Sequence, residues 1–213
     1  GGDQPLVFRE TPLDPDKLTI IYAGGLYHGK RDPSPLFEAL HLMGAKADQV
    51  RLIFHVAEPQ MVTALAKQHG VSNHVEVHGV ISRGEIIRKQ CAADVLLLLR
   101  WDDPGEDSVL AGKLFEYIGA RRHILSVGRE HGEAADLIRD HDLGVVSKDP
   151  KVIAETLKFW LAAKNNGRLP SPENSADQLS RSSQFTELER FLGWVVQAHT
   201  DSPTTDSEHI RAK

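Results

Sequence analysis

An α/β fold, with helices on both faces of a parallel sheet of six strands, is what the sequence predicts, and three observations carry the prediction. Short apolar runs rich in β-branched residues recur along the chain, as strands buried on both faces require. Between them lie stretches with helical apolar spacing and recognisable start and stop residues. The alternation is tight and regular, which favours a Rossmann-like, doubly wound arrangement.

Taken in order, Leu18–Ala23 is the first strand and stops at Gly24-Gly25. A helix follows from Pro33 to Met43, with Pro in its first turn and Leu36, Phe37, Leu40 and Met43 on one face. Leu52–Val56 is the second strand, and Gln60–Gln68 the second helix, ending near Gly70. His74–His78 alternates with period two, as a strand with one polar face does. Ser82, followed three residues on by Glu85, is a capping box opening a helix through Ile86, Ile87 and Cys91. Asp94–Leu99 is the most apolar strand. A loop from Arg100 to Ser108 leads to a helix over Val109–Ala120. His123–Val127, Glu133–Asp140, Gly144–Val146 and Val152–Lys164 complete the alternation as strand, helix, strand and helix.

Residues 17–164 therefore form the expected domain, with residues 165–181, rich in Asn, Ser, Pro and Gly, as a linker. Phe185, Leu188, Leu192 and Val195 stripe an amphipathic helix over 182–199. Residues 1–16 and 200–213 are polar and expected to be flexible. The start at Gly1-Gly2, without an initiator Met, reads as the end of a piece of a longer protein.

Composition narrows the function. Against 25 Lys and Arg stand 30 Asp and Glu, a formal charge of −5, which argues against nucleic acid as a partner. The single cysteine, Cys91, excludes an internal disulfide and fits a reducing, cytoplasmic setting, with packing as its simplest role. The longest apolar run, Val95–Leu99, is too short to span a bilayer.

In an open α/β sheet, ligands sit beyond the carboxyl ends of the strands. Gly24-x4-Gly29-Lys30 approaches a triphosphate-cradling loop, but Arg31 stands where Ser or Thr must hold magnesium. A dinucleotide fingerprint also fails, because the loop reads Gly24-Gly25-Leu26-Tyr27-His28-Gly29. The loop remains a candidate phosphate site, with two glycines permitting close approach and Lys30 and Arg31 beside a helix start. The alternative is that the glycines serve only the turn and the cations are solvated.

Gly112–Tyr117 opens the helix after the most apolar strand. Lys113 and Glu116 share a face there, either to meet a diphosphate and a ribose or simply to pair with each other. His74, Glu76 and His78 could share one strand face as metal ligands, but a polar outer strand face explains the spacing better, and no metal site is expected. Trp101 could stack on a base or face a partner domain, and Asp102, Asp103 and Glu106 read as a solvated loop.

Three strings carry a resemblance: Tyr22–Pro33, then Val77-His78-Gly79-Val80, then Gly112–Ala120. Together, over residues 17–164, they resemble the C-terminal donor-binding domain of GT-B glycosyltransferases, closest to the family 4 type that builds surface polysaccharides and glycolipids. The resemblance implies transfer of a sugar from a nucleoside diphosphate sugar to an acceptor hydroxyl. It implies no cofactor and no metal, because cations and a helix dipole offset the leaving diphosphate's charge.

By the same resemblance, Lys30 and Lys113 contact the diphosphate, Gly24 and Gly25 line it, Gly79 and Val80 hold the base, and Glu116 binds the ribose beside Leu114. The family's arginine after the first glycine corresponds to Gly25, and Arg31 is its candidate substitute. The family's sugar-binding glutamate falls at Ser108, with Glu106 nearby. An N-terminal acceptor domain, through which a lipid-linked acceptor or a membrane surface is reached, would be the missing partner. The alternatives are a non-catalytic nucleotide- or sugar-binding domain and a sugar-nucleotide epimerase-like domain.

Overall fold

A computed structural model describes residues 11–107, 112–167, 169 and 171–172 of the chain. Six strands form one all-parallel sheet in the order β3-β2-β1-β4-β5-β6. They are β1 (Leu18–Ala23), β2 (Val50–His55), β3 (Val75–His78), β4 (Val95–Leu99), β5 (His123–Val127) and β6 (Gly144–Val146). The helices are α1 (Ser34–Met43), α2 (Pro59–Gln68), α3 (Arg83–Ala92), α4 (Gly112–Ala120), α5 (Glu133–Asp140) and α6 (Pro150–Asn165).

Alternation along each strand divides the core between two faces. Ile20, Tyr22, Leu52, Phe54, Leu97, Leu99 and Leu125 pack under α1, α2 and α6. Ile21, Ile53, Leu96, Leu98 and Ile124 pack under α4 and α5, against Leu114, Tyr117 and Ile138. β1 and β4 are sealed on both sides, and all five residues of β4 are buried. At ~25 cal/mol per Å² of apolar area, this continuous burial is the main force holding the layers together.

Local signals act as the sequence implies. Ser82 Oγ accepts from the Glu85 amide while the Glu85 carboxylate accepts from the Ser82 amide, closing the capping box. Asp32 accepts from the Ser34 amide ahead of α1, and Asp149 accepts from the Lys151 amide at the start of α6. Cys91 is buried.

Several boundaries differ from the sequence reading. α6 starts two residues early, at Pro150, because Asp149 and Pro150 form a cap and first turn. β3 starts at Val75, since Ser72–His74 forms a short 3-10 turn whose tight winding excludes His74 from the ladder. Of residues 165–181, Leu169 packs against the core and Ser171 donates to the Arg121 carbonyl at 2.7 Å. The expected helix over 182–199 lies outside the described residues.

Two ties brace the sheet, the first mostly buried and the second partly exposed. Lys164 Nζ lies 2.6 Å from Asp94 Oδ2 and also donates to the carbonyls of Asp14 and Lys17. Asp94 in turn accepts from the Thr19 amide and hydroxyl. On the polar side, Glu76 accepts from Arg51 through both carboxylate oxygens.

Candidate functional site

The strand order creates the site. From β1 the chain winds outward to β2 and β3, then returns to lay β4 on the other side of β1. The loops after β1 and β4 therefore diverge and leave a crevice at the carboxyl edge. Both loops, and the first turn of α4, carry sequence-predicted site residues.

Gly24 is the position where backbone geometry matters most. Its φ of +140° suits glycine, and a Cβ there would overlap Lys113 Nζ. Lys113 reaches back from α4, its ammonium 4.7 Å above the Tyr22 ring. That ammonium is buried and has no hydrogen-bond partner among the described residues. Burial, and then the nearby Arg31 guanidinium, pull its pKa down to about 8, while Glu116 works weakly the other way. An unpaired buried cation is costly and calls for an anion.

Arg31 is the second cation brought to this point. Its guanidinium donates to the Gly25 carbonyl at 3.4 Å, beside the Tyr22 hydroxyl, which donates to the same carbonyl at 2.8 Å. Burial raises the pKa of the Tyr22 hydroxyl and keeps it protonated. Lys30 points elsewhere: its ammonium lies 4.4 Å over the Trp101 ring, at the mouth of the loop after β4. The indole Nε1 of Trp101 is another buried donor without a hydrogen-bond partner among the described residues.

Lys113 and Glu116 do not pair with each other. Glu116 accepts from Arg83 at 3.1 Å, linking α4 to the start of α3. Leu114 is fully buried in the core. Gly79 and Val80 lie at the end of β3, with Val80 exposed. The Gly79 carbonyl lies 3.3 Å from Nδ1 of His55, a buried residue stacked on His78 at 5.1 Å. His55 is a neighbour of the Gly79-Val80 loop that sequence reasoning missed; its position as the last residue of β2 was the available signal. Burial lowers its pKa, so it is neutral near pH 7.

The loop after β4 is braced, not free. Asp102 pairs with Lys148 at 2.9 Å, and Asp107 grips Arg129 through two bonds of 2.8 and 2.9 Å. Those cations hold both carboxylates below the usual carboxylate range. Asp103 caps the turn Pro104–Glu106, in which Glu106 lies. Ser108 falls outside the described residues. Buried Arg100 donates to the carbonyls of Arg129 and His131, fastening the loops after β4 and β5 together.

His78 Nε2 lies 3.6 Å from Glu76, which is already committed to Arg51. Among the described residues no group of three His, Cys, Asp or Glu side chains is arranged to hold a metal ion. No helix of the described residues is long and apolar enough to cross a membrane. A separate concavity of about 410 Å³ lies among α1, the end of α2 and the start of α6, and includes none of the predicted site residues.

No family profile matches the sequence, and no curated protein matches it either. Solved structures do match in fold, and they are GT-B glycosyltransferases. WaaG, a glycosyltransferase involved in lipopolysaccharide biosynthesis, superimposes with a TM-score of 0.61 at 20% identity, over 78% of this chain and 44% of its own. HepE from Anabaena, solved in complex with UDP, gives 0.62 at 12% identity, over 86% and 49%. The catalytic domain of cholesterol-alpha-glucosyltransferase from Helicobacter pylori gives 0.56 at 15% identity, over 79% and 98%. The chain thus has the fold of a GT-B glycosyltransferase domain, and it spans less than half the length of the WaaG and HepE chains.

Proposed function

We propose that the chain is the donor-binding domain of a glycosyltransferase and holds a nucleoside diphosphate sugar in the crevice between the loops after β1 and β4. The observation that carries this reading is Lys113: a buried ammonium without a hydrogen-bond partner among the described residues, set against Gly24. A diphosphate supplies the missing anion. Arg31 adds a cation beside Lys113, and Lys30 one at the crevice mouth. In this role they offset charge on the departing nucleoside diphosphate without a metal, while the Gly79-Val80 backbone meets the base and Glu116 the ribose. HepE, similar in fold, was solved with UDP, which supports a nucleotide ligand here.

The partner is an acceptor-binding domain, and the acceptor belongs to polysaccharide or glycolipid synthesis at the cytoplasmic side of a membrane. On its own the chain binds donor and transfers little sugar; robust transfer by the isolated chain would refute that clause. Calorimetric titration with UDP, GDP, ADP and their sugar conjugates tests the binding. At least one should bind, and Lys113→Glu should weaken it by about 1.5–3 kcal/mol. Silence with every nucleotide in a folded sample sinks the reading.

A further inference from the structure

The two cations of the first loop share an arrangement that diphosphate chemistry alone does not require. Among the described residues neither Lys30 nor Arg31 is paired with a carboxylate; each lies on an aromatic ring instead. Lys30 Nζ stands 4.4 Å from the Trp101 ring centroid, and the Arg31 guanidinium carbon 4.5 Å from that of Tyr27. The two rings meet edge to face at 5.8 Å and 70°. The result is a row, Arg31–Tyr27–Trp101–Lys30, that bridges the loops after β1 and β4 across the crevice.

The backbone bends to make this row. Tyr27, His28 and Gly29 are three successive left-handed residues, with φ of 50°, 56° and 83°. The turn is closed by the Lys30 amide donating to Tyr27 and the Arg31 amide to Leu26. Such a conformation costs a non-glycine residue energy and persists where its surroundings demand it. Here it sets the Tyr27 ring under Arg31 and against Trp101.

We propose that Trp101 is a positioning residue: its indole face holds the Lys30 ammonium at the crevice mouth, as Tyr27 holds Arg31, so that both cations meet an incoming diphosphate already ordered. The inference rests on the donor-site reading. An aromatic face occupies one side of an ammonium and leaves its other N–H groups free for phosphate oxygens. A carboxylate in the same place would have to be displaced by the phosphate. A lysine left in solvent would lose its rotamer freedom only on binding.

Two measurements on the full chain test this separately. By NMR of the ligand-free protein, the Lys30 ε-methylene is shifted upfield by the indole ring current, and Trp101→Leu abolishes the shift. An unshifted Lys30, insensitive to Trp101→Leu, overturns the inference whatever the ligand does. Titration with inorganic pyrophosphate and with UDP reads the role. Trp101→Leu weakens both by roughly threefold to tenfold, Trp101→Phe restores most of the loss, and Trp101→Leu adds nothing once Lys30→Ala is present. Tyr27→Leu, at a half-exposed residue, supplies a second variant with the same expectation for Arg31.

Additive losses, or tighter binding in Trp101→Leu, overturn the positioning role and leave the donor site standing. If the wild type shows the ring-current shift but binds neither pyrophosphate nor UDP, the donor-site reading fails and this role falls with it.

Discussion

Lys113 ties stability, proton and ligand together. Its folded pKa of about 8 lies below the ordinary 10.5, so burial disfavours the charged form. Between those values the unfolded chain holds a proton that the folded chain has released, and stability therefore rises with pH from about 8 to 10.5. Below pH 8 the penalty is fully present. Lys113→Met should be more stable than wild type at pH 7 and lack this slope, as urea unfolding at pH 7 and 9.5 would show. An anion reverses the preference, so donor affinity should rise as pH falls through about 8 and then level off. Burial raises the pKa of Tyr22 and lowers that of His55, so both shift away from pH 8. Gly24→Ala attacks the same contact from the other side: strain at φ +140° and displacement of Lys113 should cost about 1–3 kcal/mol and abolish nucleotide binding. Equal binding by Gly24→Ala would show that Lys113 is not held where it matters.

Among the elements, those with a local chemical signature were the legible ones. Ser82 and Glu85 named the start of α3, and the two reciprocal bonds are present. Ser82→Ala should cost about 1 kcal/mol, read as a lower urea midpoint with unchanged slope. Val95–Leu99 could be read as a doubly covered strand because nothing polar interrupts it, and it is the strand buried throughout. Boundaries failed where two short structures compete within a few residues. His74 alternates correctly for β3, yet a 3-10 turn takes it, because i to i+3 bonding leaves no trace in the apolar period. The site was legible as residue types but not as partners. Lys113 and Glu116 are three apart and could pair, but Glu116 finds Arg83, 33 residues away, and Lys113 finds a ring on β1. Likewise, Tyr27 and Trp101 become neighbours only because the sheet order sets β4 beside β1. No periodicity along the chain records that adjacency.

At the scale of the molecule, one tie joins distant parts. Lys164, at the end of α6, carries its charge to a 12–14% exposed contact with Asp94 beneath the sheet. Removing one member of such a pair leaves the other charge stranded, so Lys164→Met should cost about 3 kcal/mol in urea unfolding. A loss near zero would mean that Thr19 alone satisfies Asp94. The same lysine also binds the carbonyls of Asp14 and Lys17, which lead into β1. The path into the sheet unit and the path out of it are therefore held side by side, at the edge opposite the ligand crevice. A unit whose two doorways adjoin can be lifted out, inserted or re-threaded without disturbing its interior. Joining position 165 to position 14 by a short linker and opening the exposed turn at Gly44 should give a circular permutant with one cooperative unfolding transition and an intact nucleotide response.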